Sequence, residues 1–134
     1  MKKKWFVLII LLVICVIVFS YIFLIKNNDV KITINNQSHD LEDINEVVEL
    51  AKKEFYNWNI KAKLLTIEYS EKNVADLEEE LKNEYLATDA VAINIKFKTF
   101  LITNQSLNEN EEYTYSMEFI KKDNLWNMVN FGQG

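Results

Sequence analysis

The chain has 134 residues, 20 of them acidic and 15 of them lysine, and its formal charge is −5. Beyond residue 25 it retains 109 residues, which suffice for one small domain with a core of its own and are too few for two. Residues 26–134 hold 12 lysines and 20 acids, a formal charge of −8, so a nucleic-acid partner is excluded because phosphate would be repelled.

The first predicted element is an apolar run from Trp5 to Ile25 that contains no charge, glycine or proline. As a helix rising ~1.5 Å per residue, it matches a hydrocarbon core of about 30 Å, so the predicted partner is the lipid bilayer. The run exceeds the roughly 7–15 apolar residues of a signal peptide, and no small-residue cleavage site follows it. An uncleaved anchor is therefore favoured over a cleaved signal. Lipidation at Cys15 is disfavoured because bulky residues precede it.

The charges beside this run predict its orientation. Residues 2–4 are all lysine, whereas Lys26 stands alone on the far flank. The positive-inside rule then places the N-terminus in the cytoplasm and residues 26–134 outside a single-pass cell membrane anchor. The predicted organisation has three parts: a lysine cluster and anchor at 1–25, an exit segment with a short strand at 26–39, and an extracytoplasmic α+β domain at 40–134.

Alternating β-branched residues predict a short strand over Val30–Asn35, followed by a polar turn over Asn36–Asp40. Asp40 then caps a helix of about 17 residues, and Asp43 adds a second acid to its first turn. The apolar residues of this helix recur mostly at intervals of three and four, which places them on one face. They are Leu41, Ile44, Val47, Val48, Ala51, Phe55 and Trp58.

A second strand is predicted over Leu64–Tyr69, and a second helix with Asn73 as its cap follows. Three side chains of the strand are expected on one face: Leu65, Ile67 and Tyr69. The helix has an apolar stripe made of Val74, Leu77, Leu81 and Tyr85. Its acidic residues are assigned to a solvated outer face: Glu78, Glu79, Glu80 and Glu84.

The remainder predicts three consecutive strands. The first covers Ala90–Thr103, and its apolar alternation changes phase, which predicts a bulge or strong bend between Phe97 and Phe100. The loop and turn that separate the strands are predicted at Asn104–Asn110 and Lys122–Asn124. The other two strands are Glu112–Lys121 and Leu125–Phe131, after which Gly132 and Gly134 suit a backbone that turns away from the sheet.

This order of elements indicates an α+β domain in which a curled antiparallel sheet packs its helices on one face. An aromatic stripe is expected to line the concave side of such a cone. The possible cone-lining residues are Trp58, Tyr69, Tyr85, Tyr113, Tyr115 and Trp126. A filled core is favoured over a pocket for a small apolar ligand, although a pocket would have the same composition.

Two short motifs carry a resemblance. Tyr69 and Glu71 form a Tyr-x-Glu element, and Trp126, Gly132 and Gly134 form a terminal Trp-x-x-x-x-x-Gly-x-Gly signature. Over roughly residues 40–134, the chain resembles a bacterial domain family of unknown function in the nuclear transport factor two-like superfamily. The resemblance implies the curled-sheet cone and no established activity. Enzymatic branches of that fold usually place a His or Asp in the cone, and no such His is evident here.

The sequence predicts no catalytic, cofactor-binding or metal-binding residue. His39, the only histidine, stands in a polar turn without an evident orienting partner, so it is expected at the surface. A site built from His39 and Cys15 is excluded because Cys15 lies in the apolar run. The acidic helix lacks the loop spacing of a calcium site.

Three functions remain open. A non-enzymatic envelope module that binds a protein partner is favoured, because the chain combines an anchor and an acidic exterior with no reactive constellation. The alternatives are a carrier or sensor of a small apolar ligand held in the cone, and an assembly component of a secretion or conjugation machine. The second alternative depends on fold analogy alone. An enzyme is the least favoured class, and the oligomeric state is open.

Overall fold

The computed structural model describes residues 2–27, 30–58, 60–100 and 107–133, with the side chains of its first helix over residues 3–22. The elements run in the order α1 (Lys2–Asn27), β1 (Lys31–Asn35), α2 (Leu41–Asn57), β2 (Ala62–Ser70), α3 (Glu71–Tyr85), β3 (Asp89–Thr99), β4 (Glu112–Lys122) and β5 (Leu125–Gln133).

The apolar run forms α1, a helix of 26 residues. Its stretch Lys3–Ile22 is long and apolar enough to cross a membrane, and its side chains are exposed along the whole stretch. The same length and composition near an N-terminus also suit a signal sequence.

The described strands form one sheet in the order β1-β2-β3-β4-β5. Three of the pairings are antiparallel, as predicted, but β1 lies parallel to β2, so the sheet is mixed. The expectation of a wholly antiparallel sheet is therefore wrong. Because α2 carries the chain from the end of β1 back to the start of β2, the two strands run in the same direction.

Two extra residues bend the sheet. Leu65 is the extra residue of β2, because Leu64 and Thr66 pair with consecutive residues of β3. Val129 is the extra residue of β5, because the register shifts there against β4. Such bulges increase local twist and bending, which accounts for the curl of the sheet. The prediction that Leu65 shares a face with Ile67 and Tyr69 is wrong, since the bulge puts the buried Leu64 there instead.

The predicted bulge in the third strand is not found. The pairing of β3 with β4 is unbroken from Asp89 to Lys98, and the backbone bends only at Phe100, directly after the strand ends. The last part of the predicted strand, at 101–103, and the first part of the predicted loop, at 104–106, lie outside the described residues.

At the other end of the sheet, β5 is longer than predicted. Gly132 pairs with Ser116, and Gln133 pairs with Tyr115. Gly132 therefore continues the sheet rather than turning away from it, contrary to the expectation. Gly134 lies outside the described residues.

The main core lies between α2 and one face of the sheet. Asp40 caps α2 as predicted, accepting the N–H of Glu42 at 2.9 Å. The predicted apolar stripe provides most of the helix's contribution to the core. Its fully or nearly fully buried members are Ile44, Val47, Val48, Ala51 and Phe55.

The second soluble helix packs differently from the prediction. Leu81 and Tyr85 of α3 contact Ala90 and Ile120, which alternate with the residues under α2 and so belong to the opposite sheet face. The expectation that both helices cover one face therefore fails for the C-terminal half of α3, although Val74 near its start packs against the main core. Since α3 begins directly after β2 at Glu71, Asn73 lies inside the helix and does not cap it.

Candidate functional site

The loop between β1 and α2 is held in place by side chains on both sides. The Asn36 side chain donates to the carbonyl of His39 at 2.6 Å and accepts the N–H of His39 at 3.1 Å. Glu71 accepts the N–H of Gln37 at 2.5 Å and that of Ser38 at 3.0 Å, and it also accepts the Ser38 hydroxyl. These hydrogen bonds, the one from the Ser38 hydroxyl first, lower the pKa of Glu71.

The loop directs His39 between two carboxylates. Nε2 lies 3.1 Å from Oε2 of Glu78, and Nδ1 lies 3.1 Å from Oδ2 of Asp89. Only 10% of the His39 side chain is exposed. The ring also meets Tyr69 edge-on, with centroids 6.0 Å apart. The expectation of an unpartnered surface histidine is therefore wrong, because the partners lie far away in sequence.

Glu78 is the most buried member of this cluster, with 5% of its side chain exposed. Its Oε1 accepts the backbone N–H of Ala92 at 3.1 Å, and its Oε2 accepts the Tyr69 hydroxyl at 3.4 Å. The assignment of Glu78 to a solvated face is wrong. The pairing of β2 with β3 stops at Asn94. Beyond that point α3 lies beside β3, and Glu78 accepts the backbone N–H of Ala92 in place of a strand partner.

A sequence signal for Glu78 existed. It lies four residues after Val74 and three before Leu81, so it belongs to the apolar stripe by helical spacing. A carboxylate at such a position is buried with the stripe and needs hydrogen-bond partners. Asp89 and His39 carry no comparable signal.

Charge coupling favours an ionised His39. Burial lowers its pKa, but hydrogen bonds and charges from Asp89 and Glu78 outweigh burial, and the net pKa is raised. Burial raises the pKa of Glu78 against the opposing hydrogen bonds from Ala92 and His39. Burial, followed by the charge of Glu78, also raises the pKa of the Tyr69 hydroxyl, which therefore stays protonated.

This geometry makes the cluster a clamp. An imidazolium between two carboxylates donates on both sides, so neither ring nitrogen presents a lone pair to a substrate. General base catalysis would require such a lone pair. What the cluster does instead is connect the β1–α2 loop to α3 and β3. We call His39, Glu78 and Asp89 the carboxylate–histidine clamp.

A second polar group fixes α2 to the far strands. Oδ1 of Asp43 accepts a hydrogen bond from Nζ of Lys121 at 2.6 Å and another from the indole N–H of Trp126 at 3.1 Å. The hydrogen bond with Lys121 is the main cause of a lowered pKa at Asp43. Trp126, which is 5% exposed, is held here as part of the main core.

The predicted cone-lining residues fall into different surroundings. Tyr69 and Trp126 are buried in the main core, and Tyr113 packs against it in a stacked contact with Phe97, centroids 5.7 Å apart. Tyr85 belongs to the smaller cluster under α3. The structure thus separates Tyr85 from the other predicted residues.

Three half-buried rings meet where α2 ends. The Trp58 ring centroid lies 4.7 Å from that of Phe131 and 5.5 Å from that of Tyr115, and the latter two are 5.5 Å apart. We call Trp58, Tyr115 and Phe131 the aromatic surface. Because these rings pack on one another and on the core, they form a cohesive apolar patch rather than the walls of an empty cone.

A cleft of about 260 Å³ lies beside Trp126. It is lined by Leu50, Glu54, Phe119, Trp126, Asn127 and Met128. Trp126 is the one predicted cone-lining residue among them, and no tyrosine takes part. This cleft therefore differs in composition from the tyrosine-lined cavity that a carrier of apolar ligands was expected to have.

The residues of the two short motifs have structural contacts. Tyr69 and Glu71 contact the clamp and the loop that carries His39, and Trp126 bonds to Asp43. Gly132 lies in β5, and a methyl group there would meet nothing within 4 Å. No steric need for glycine at this position arises from the described part of the chain.

Within the described ranges, no group of three His, Cys, Asp or Glu side chains is placed to hold a metal ion. In comparisons with protein-family models, curated proteins and solved structures, none matches this chain. The clamp, the aromatic surface and the cleft are the features of the described residues from which a function can be inferred.

Proposed function

We propose that the chain is a membrane-anchored extracytoplasmic domain that binds a protein partner and has no enzymatic activity. The observation that carries this proposal is the aromatic surface. Its three rings are only half-buried, although the neighbouring aromatic side chain of Phe97 is fully buried. Aromatic side chains are enriched at protein interfaces because they bury a large area with few rotatable bonds.

The clamp supports the non-enzymatic part of the proposal. His39 is the only histidine of the chain, and both its ring nitrogens are engaged by carboxylates. The residue best suited to proton transfer near neutral pH thus serves to hold a loop.

The charge distribution favours a basic partner surface. The outer face of α2 presents Glu42, Glu46 and Glu49 to solvent, and the outer face of α3 presents Glu79, Glu80 and Glu84. Complementary charge steers association and selects partners more than it adds affinity.

The anchor supports an envelope location. The first turn of α1 contains no acid and includes residues 2–4, all lysine, which favours a cytoplasmic N-terminus. Four peptide steps lead from Asn27 to Lys31, a reach of at most about 14 Å. The partner is accordingly expected close to the bilayer. Membership of the nuclear transport factor two-like superfamily remains part of the proposal, supported by the curled sheet and the two short motifs.

Site-specific photocrosslinking in intact membranes tests the proposal. The full chain carries a benzophenone amino acid at Tyr115, and a matched control carries it at Thr114, which is exposed on the opposite face of β4. A reproducible protein adduct at Tyr115 that is absent at Thr114 supports the proposal. Identical adducts at both positions, or lipid adducts alone at Tyr115, contradict it.

A further inference from the structure

The cleft between α2 and β5 has the size of a site for one side chain. Its volume of about 260 Å³ is below the roughly 300–1,000 Å³ typical of sites for drug-sized ligands. Leu50, Phe119, Trp126 and Met128 provide apolar walls, whereas Glu54 and Asn127 provide polar groups. Phe119 and Trp126 are almost fully buried, and the accessible lining is more polar than apolar. A ligand that fits it therefore places a polar end at Glu54 and Asn127 and only a short apolar body against Leu50 and Met128.

The polar groups of the cleft offer acceptors. Glu54 contributes a half-buried carboxylate that makes no hydrogen bond or ion pair with the described residues. The amide nitrogen of Asn127 donates to the carbonyl of Leu125 at 3.3 Å, which leaves its side-chain oxygen to accept. The indole N–H of Trp126 donates to Asp43. The polar end of a ligand must therefore donate, and a cation satisfies Glu54 best.

Two lysines of the elements that form the cleft or adjoin it are already paired. Lys121 lies 5.6 Å from the Trp126 ring centroid, but its ammonium bonds to Asp43 at 2.6 Å. Lys52, on the same helix as Glu54, pairs with Glu49 at 2.6 Å. The charge of Glu54 is thus left for a group from outside the described structure.

We propose that this cleft binds an alkylammonium group, with the ammonium at Glu54 and Asn127 and the alkyl chain against Leu50 and Met128. The expected source is a lysine side chain of the protein partner, a step that rests on the proposed function. A free alkylamine has the same chemistry, and the experiment below includes a lysine probe whose failure to bind, where a free alkylamine binds, would exclude the lysine source.

Titration of the full chain in detergent micelles tests the site, with the Trp126 indole N–H resonance as readout, assigned from a Trp126→Phe variant. The probes are n-butylammonium, its neutral analogue n-butanol, and N-acetyl-lysine methylamide. Saturable shifts are expected with both ammonium probes and not with butanol. Glu54→Gln should weaken ammonium binding at least about tenfold, whereas Glu80→Gln, at an exposed position of α3 outside the cleft, should leave it unchanged.

The outcomes separate the claims. Equal shifts with butanol, no shifts with any probe, or binding unaffected by Glu54→Gln overturns the site. Binding of butylammonium without the lysine probe overturns the peptide source. In each of these cases the crosslink at Tyr115 still decides the proposed function by itself, because Tyr115 does not line the cleft.

Discussion

Nε2 of His39 lies 3.1 Å from Oε2 of Glu78, although the two residues are 39 positions apart in sequence. The contact connects the loop before α2 to the middle of α3. With Asp89 on the opposite side of the ring, it gives the domain a buried ionic group whose titration can be followed in solution.

The first prediction concerns pH. Because the folded-state pKa of His39 is raised, its contribution to stability is fully present below the unfolded pKa of about 6.5 and is lost as pH rises through the folded value. The pKa of Glu78 is also raised, so its contribution to stability likewise falls as pH rises, and this fall begins at lower pH than for His39. Urea unfolding of the full chain in detergent should therefore show stability falling from pH 6 to pH 9.

A His39→Gln variant provides the control for this pH dependence. The substitution keeps a hydrogen-bonding side chain and removes the titrating group, so the decline above pH 6.5 should flatten. An unchanged slope in this variant would assign the dependence to another group.

The second prediction concerns Glu78. Glu78→Ala removes the acceptor for Ala92 and Tyr69 and the charge beside His39, so we expect a loss of about 3–5 kcal/mol in the free energy of unfolding. Glu79→Ala is the matched control on the same helix. Glu79 is exposed and pairs with Lys82 at the surface, where solvent screens the ion pair, so its loss should have little effect on stability. Equal effects of the two substitutions would contradict a buried role for Glu78.

The third prediction concerns Asp43. Since its pKa is lowered, its contribution is present above the unfolded value of about 4 and is lost as pH falls through the folded value. Asp43→Asn should reduce stability by about 1–2 kcal/mol at neutral pH and flatten the acid limb of the stability profile. Chemical denaturation between pH 3 and pH 7 measures this. Asp76→Asn, at an exposed position of α3, is the control and should leave the loss of stability at acid pH unchanged.

The fourth prediction concerns Gly132. A methyl group there meets nothing within 4 Å, and the residue is paired in β5, so Gly132→Ala should leave the melting temperature unchanged or raise it slightly. A large destabilisation would show that the residue has a conformational role.

The fifth prediction concerns topology. With Cys15 replaced by Ser, a cysteine at Thr114 should react with a membrane-impermeant maleimide on intact cells. A cysteine at Lys3 should react only after permeabilisation. Labelling of Lys3 and protection of Thr114 in intact cells would reverse the proposed orientation, and release of the Thr114 variant into the medium would indicate a cleaved signal.

Local periodicity was enough to predict the helix from Leu41 to Asn57 and the paired strands around Met117 and Phe119, because each buries one regular face. The parallel pairing of β1 was not accessible in this way, since five exposed or half-exposed residues carry no directional signal. The bulge at Leu65 was missed because a Leu-Leu pair fits either register.

The clamp was harder to predict than the fold. Burial of Glu78 follows from its place in the stripe, but the position of Asp89 opposite His39 depends on how β3 passes the loop. Two residues 50 positions apart meet through tertiary packing, and no short-range pattern encodes that contact. The aromatic residues showed the opposite difficulty, because their types indicated burial but not that Tyr85 would pack in a separate cluster.

The place of β1 at the margin of the sheet has a mechanical consequence. In a chain held at α1, any pull between the membrane and a bound partner enters the domain through β1, which has β2 as its one neighbour among the described strands. Under load this strand should peel away first. The next contact to break is that of His39 with Glu78 and Asp89. The force at which the domain unfolds should therefore depend on whether that imidazole is protonated.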